Sequence, residues 1–163
     1  MRSIAYLGVL TAAAALLSYI ETLIPLPFGI PGMKLGLTNL AIVLVLYLFG
    51  MKEALLVSVV RILIVGFLFG NLFSILFSLA GGLCSLLVMW LMKKSKLFGI
   101  AGVSVTGGVS HNLAQMAVAS LVVGNSSIWY YFPILMTAGM LTGFLIGVLS
   151  MEMMKPLKFM KKE

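Results

Sequence analysis

The chain contains no aspartate, a single cysteine and a single histidine in 163 residues. Its acidic side chains are Glu21, Glu53, Glu152 and Glu163 alone. Hard divalent cations such as Mg²⁺ are held by clustered carboxylate oxygens, and no two of these glutamates stand at a spacing that would cluster them. Cys84, alone in an apolar run, excludes an intramolecular disulfide and a cysteine-based metal site. His111 has no second histidine with which to share a metal. A Walker phosphate loop is also missing, so any ATP hydrolysis belongs to another protein. Charge itself is scarce, at 9% of residues.

What fills the chain instead is apolar. Hydrophobic residues make up 62% and the mean hydropathy is +1.20. No soluble domain of this size hides that much apolar surface, so lipid is the expected solvent. The formal charge of +7 invites a nucleic-acid reading. The basic residues, however, sit in short loops and at the C-terminus, which fits a topology signal and no nucleic-acid footprint.

Six hydrophobic segments are expected, at about 3–24, 36–50, 53–70, 72–92, 98–123 and 129–154. A membrane span needs roughly 20 residues, so the second segment is short and is expected to start within the membrane from a covered loop. With the N-terminus in the cytoplasm, nine of eleven cations fall inside: Arg2, Lys52, Lys93, Lys94, Lys96, Lys155, Lys158, Lys161 and Lys162. Lys34 alone lies outside and Arg61 lies within a span. That asymmetry selects six helices with both termini inside, and a five-helix drawing would scatter the lysines over both faces. Residues 4–20, flanked by Arg2, also resemble a signal peptide, but their length makes a first transmembrane helix the better reading. The expected fold is an all-α integral membrane protein, a six-transmembrane-helix bundle in one domain over 1–163.

Polar residues inside spans are costly and each needs a reason. Arg61 falls near mid-membrane, either tied to a carbonyl or to Glu21, or serving as counter-charge for an anionic or strongly polar ligand. His111 and Gln115 share a helical face, with Ser104, Gly108 and Asn112 on the adjacent stripe. Ligand contact and structural hydrogen bonding are both open for them. Glu21, Lys34, Asn39 and Asn71 fall at or near the outer ends of their helices, so the unusual polar side chains converge on one half of the bundle. The stretch Pro31-Gly32-Met33-Lys34-Leu35-Gly36-Leu37-Thr38-Asn39 follows a Pro25-Leu26-Pro27 break and reads as a ligand loop over that half, or as a re-entrant connection. Small residues four apart, Gly8/Ala12, Thr11/Ala15 and Ala14/Ser18 on the first helix and Gly139/Gly143/Gly147 on the last, serve helix packing or the docking of another subunit.

Three motifs in order, Pro31 to Asn39, Ser78-Leu79-Ala80-Gly81-Gly82 and Gly108-Val109-Ser110-His111-Asn112-Leu113-Ala114-Gln115, resemble the small bacterial membrane proteins described as heptaprenyl diphosphate synthase component I, or Gx transporters. The resemblance covers nearly the whole chain. It relates the chain to the S components of energy-coupling factor (ECF) transporters. It implies a bundle with an outward pocket in the bacterial cytoplasmic membrane, docked on a coupling subunit driven by two ATPases. The usual Ala-x-x-x-Ala docking motif is replaced here by Gly8, Thr11, Ala12 and Ala15. Trans-prenyl synthases bind magnesium diphosphates through aspartate-rich motifs, so a chain without aspartate is not their catalytic subunit.

Two functions are therefore expected to compete. One is a substrate-binding subunit for uptake of a small polar or anionic-amphipathic molecule, with Glu21, Lys34, Asn39, Arg61, Asn71, His111, Asn112 and Gln115 as the ligand set. The other is a non-catalytic membrane accessory of a soluble heptaprenyl or polyprenyl diphosphate synthase, holding a lipid precursor or product. Neither requires a cofactor or a metal ion. A purely structural scaffold is a weaker third reading.

Overall fold

The computed structural model describes residues 2–23 and 36–160, with side-chain surroundings for 5–21, 23 and 36–156. The Pro31–Leu35 part of the expected ligand loop, with Lys34, lies outside the described residues. Six α-helices account for nearly all of the rest: α1 (Arg2–Leu23), α2 (Leu37–Leu48), α3 (Met51–Phe69), α4 (Leu72–Ser95), α5 (Ile100–Val123) and α6 (Phe132–Met160). A 3-10 turn, Ser126–Tyr131, leads into α6. These bounds follow the six apolar segments closely. The interruptions at Phe49-Gly50, Gly70-Asn71 and Lys96–Gly99 are where glycine or a polar cap breaks the run.

By length and composition, two stretches suffice to cross a membrane, Leu72–Ser95 and Ser126–Pro156. Ala5–Glu21 and Leu37–Leu48 are apolar but shorter. Helix α3 is long enough yet carries Lys52, Glu53 and Arg61, and α5 is diluted by Ser104, Gly107, Gly108, Ser110, His111, Asn112 and Gln115. Of these, Arg61, Ser104, Ser110, Asn112 and Gln115 are buried, so interior polar side chains account for part of the weakened apolar signal of α3 and α5.

The outer helices run side by side in the order α1, α3, α4, α5, α6, and α2 closes the ring between α6 and α1 while touching α3 and α5. Residues Ala41 to Leu46 of α2 are buried without a break. A helix stretch that is apolar all round is buried, and this short helix lies in the core. Ala14, Ala54, Val57, Leu86, Met89 and Val103 pack around it.

The most intimate contact joins α5 to α6. A Cβ added at Gly143 would stand 2.8 Å from both the Ser104 carbonyl oxygen and the Val105 Cα. Gly139 lies against Gly108 and the Asn112 amide, and Gly147 lies against Ala101. As one number rises the other falls, so the helices are antiparallel and their backbones touch through the glycine face. On α6 the four-residue spacing therefore serves packing within the chain. On α1 the pairs divide: Ala14 and Ser18 are buried within the chain, whereas Gly8 and Ala12 are exposed, Thr11 and Ala15 are half-buried, and among the described residues nothing lies within 4 Å of the Gly8 Cβ position.

Candidate functional site

Helix α2 begins at Gly36, whose φ of 75° is the left-handed conformation that glycine adopts without strain. No side chain of its own caps it. The carboxylate of Glu21, from α1, takes that part instead: the Gly36 N–H donates to one oxygen and the Thr38 hydroxyl to the other at 3.2 Å. A negative charge at a helix N-terminus also meets the positive end of the helix dipole. At the far end of α2, Lys93 Nζ donates to the Leu46 carbonyl at 2.7 Å and lies 4.7 Å from the Tyr47 ring centre. Both ends of the core helix are thus finished by charges from other helices.

Arg61 is 6% exposed and reaches from α3 to α1, where Nη1 donates to the Ser18 hydroxyl at 3.3 Å. Glu21 lies one turn beyond Ser18 and acts on the guanidinium electrostatically, without a direct ion pair between them. Among the described residues Arg61 Nε has no hydrogen-bond partner, and neither does the hydroxyl of Ser58, one turn earlier on α3. Both side chains border Gly82 of α4: a Cβ there would meet Ser58 Oγ at 3.4 Å and Arg61 Nη2 at 4.0 Å. The neighbouring Gly81 turns to α5, where a Cβ would stand 2.8 Å from both Gln115 Cγ and His111 Cε1. Gln115 is 2% exposed and its Nε2 is also without a partner. The Gly81-Gly82 pair of α4 is therefore a bare strip of backbone flanked by Arg61 and Ser58 on one side and by Gln115 and His111 on the other.

The remaining expected site residues divide. Asn71 is the N-cap of α4, its Oδ1 accepting from the Ser74 N–H at 2.8 Å. The amide of Asn112 donates to the Leu135 carbonyl at 2.8 Å and ties α5 to α6. Asn39 is half-buried in the first turn of α2 beside Gly36. A surface cavity of about 270 Å³ is lined by Ser126, Ser127, Trp129 and Tyr130, which belong to none of these groups.

Ser18, Thr38, Ser58 and Ser85 stand outside the expected ligand set, although Thr38 belongs to the expected loop and Ser18 to a small-residue pair, and all four are buried. Their signal was present in spacing. Ser18 stands three residues before Glu21 and Ser58 three before Arg61, so each shares a helical face with the charge that follows it.

The architecture defines an all-helical bundle that places an under-partnered guanidinium, a serine hydroxyl and a primary amide around one glycine strip. The chain belongs to the heptaprenyl diphosphate synthase component I family, whose model matches residues 10–153. No curated protein and no solved structure matches it. The description "component I" names one part of a multi-part enzyme. It favours the accessory reading over uptake and carries nothing toward a coupling subunit.

Proposed function

We propose that the chain is a non-catalytic, multi-pass membrane accessory of a heptaprenyl or related polyprenyl diphosphate synthase, whose catalytic subunit is soluble. The family match over residues 10–153 carries this reading, and the missing aspartates support it by removing the chain from the chemistry itself. A long polyprenyl product partitions into lipid, so a synthase that releases it gains from a partner in the membrane.

The outward faces favour a lipid surrounding. Phe67 is 76% exposed, Leu68 67%, Leu72 72% and Leu121 82%. Monomeric soluble proteins rarely leave contiguous apolar surface of this kind open. The lysines mark the end formed by the α2–α3 and α4–α5 connections and the C-terminus of α6, and the positive-inside rule assigns that end to the bacterial cytoplasm. There the soluble synthase meets it. Arg61, His111 and Gln115 are the interior ligand groups of this proposal, while Asn71 and Asn112 hold helices.

The test is co-purification. A tagged chain extracted in mild detergent from the source cells is expected to retain the catalytic prenyl synthase subunit in near-stoichiometric amount. If the synthase stays wholly in the soluble fraction while cells expressing the chain accumulate a labelled small polar solute, the uptake reading replaces this one.

A further inference from the structure

We infer that Arg61, Ser58 and Ser18 form an anion site inside the bundle for a phosphate-class oxyanion, the head group of an isoprenoid diphosphate. A guanidinium offers five N–H donors and no acceptor. The protein gives Arg61 one neutral acceptor, the Ser18 hydroxyl at 3.3 Å, and leaves Nε with none, at 6% exposure. A buried charge persists when it is paired and hydrogen-bonded. Glu21 compensates that charge only through space: its oxygens accept from Gly36 and Thr38, and it makes no hydrogen bond to the guanidinium.

Two further side chains packed along the α4 glycine strip carry donors without partners among the described residues. Ser58 Oγ is beside Gly82, on a residue 1% exposed, and Gln115 Nε2 belongs to the side chain that packs on Gly81. A site with a cation and several unspent donors, and no charged acceptor hydrogen-bonded to them among the described residues, is complementary to an oxyanion. Phosphate oxygens meet a guanidinium in the two-pronged geometry that makes arginine the preferred residue for them. The choice of an isoprenoid diphosphate as the source of that anion rests on the accessory reading; the oxyanion site itself rests on the side chains.

Isothermal titration of the detergent-purified full chain tests this with farnesyl diphosphate, farnesol and inorganic diphosphate. Farnesyl diphosphate is expected to bind. Arg61→Gln is expected to weaken it roughly ten- to a hundredfold, the range for a lost charge-assisted hydrogen bond, and Ser58→Ala to weaken it less, with farnesol failing to bind. Inorganic diphosphate binding equally well, with the same dependence on Arg61, supports the oxyanion site and assigns the free anion as its source. Circular dichroism checks each variant. Should Arg61→Gln lose its helical signal, Arg61→Lys and Ser58→Ala decide. Farnesol binding as tightly as its diphosphate overturns the inference, as do unchanged affinity in folded variants or no heat from either phosphate probe. Farnesyl diphosphate binding to a chain that fails to retain a synthase sinks the accessory reading and leaves the site standing.

Discussion

Arg61 is the residue at which stability and function make opposite demands. Replacing a buried, poorly satisfied charge by an apolar side chain of similar volume is often neutral or stabilising, by about 1–4 kcal/mol. Arg61→Met is therefore expected to leave the thermal midpoint of the ligand-free chain unchanged or higher, measured by unfolding in detergent, while abolishing anion binding. A drop equivalent to more than about 2 kcal/mol would show that the guanidinium serves the fold, because losses of that size come with a broken buried network. Asn71 is expected to behave in the opposite way. Its exposed side chain caps α4 through the Ser74 N–H, so Asn71→Ala should cost about 0.5–2 kcal/mol of stability and leave ligand affinity untouched. Which of these two polar residues was structural could not be read from either one alone. Both are polar interruptions in apolar sequence, and only the partner of each separates a cap from an unspent donor.

At the scale of the element, α2 shows what sequence can and cannot disclose. Its position, its shortness and its uninterrupted apolar character were all legible, because they follow from composition over a dozen residues. Its capping was not. Glu21 and Lys93 are 15 and 47 residues away in sequence from the groups they satisfy, Gly36 and Leu46, and no local pattern links them. Lys93 in particular read as one lysine of a topology cluster. Lys93→Met is expected to destabilise the chain by about 0.3–2 kcal/mol, the range for a cation lost from a helix C-terminus, whereas Lys96→Met, exposed in the connection, should be silent. Urea or thermal unfolding of the pair distinguishes a cap from a mere topology signal.

Helix α6 gives the complementary case. Its Gly139, Gly143 and Gly147 were visible as a small-residue face, but whether the face met its own chain or another could not be decided without the partner. The 2.8 Å approach of a Cβ at Gly143 to Ser104 and Val105 assigns it to α5. Gly143→Leu is expected to cost about 1–3 kcal/mol or more by overpacking, since backbone on both sides cannot step aside. The same substitution at Gly8 on α1, where the space is open, should leave the isolated chain's stability intact.

For the whole molecule, the connectivity of the apolar segments was readable as six helices, and the order of the helices around the bundle was not, since lateral neighbours depend on which faces fit. The proposed orientation makes its own prediction. In a Cys84→Ala background, Tyr130→Cys in the turn before α6 and Leu97→Cys beside the α4–α5 lysines place thiols at opposite ends, at positions 86% and 81% exposed in the wild type. A membrane-impermeant maleimide applied to intact cells is expected to label the first and spare the second. Equal labelling of both would contradict a single orientation with the lysines inside.

The central claim is that this chain enables a synthase without catalysing prenyl transfer. It is tested most directly by supplying labelled isopentenyl diphosphate and farnesyl diphosphate to the soluble synthase subunit, to this chain in proteoliposomes, and to the two combined. The account predicts no product from the chain alone and long-chain polyprenyl diphosphate formed faster, and in the membrane fraction, only when both are present. Identical rates and chain lengths with and without the chain would contradict it.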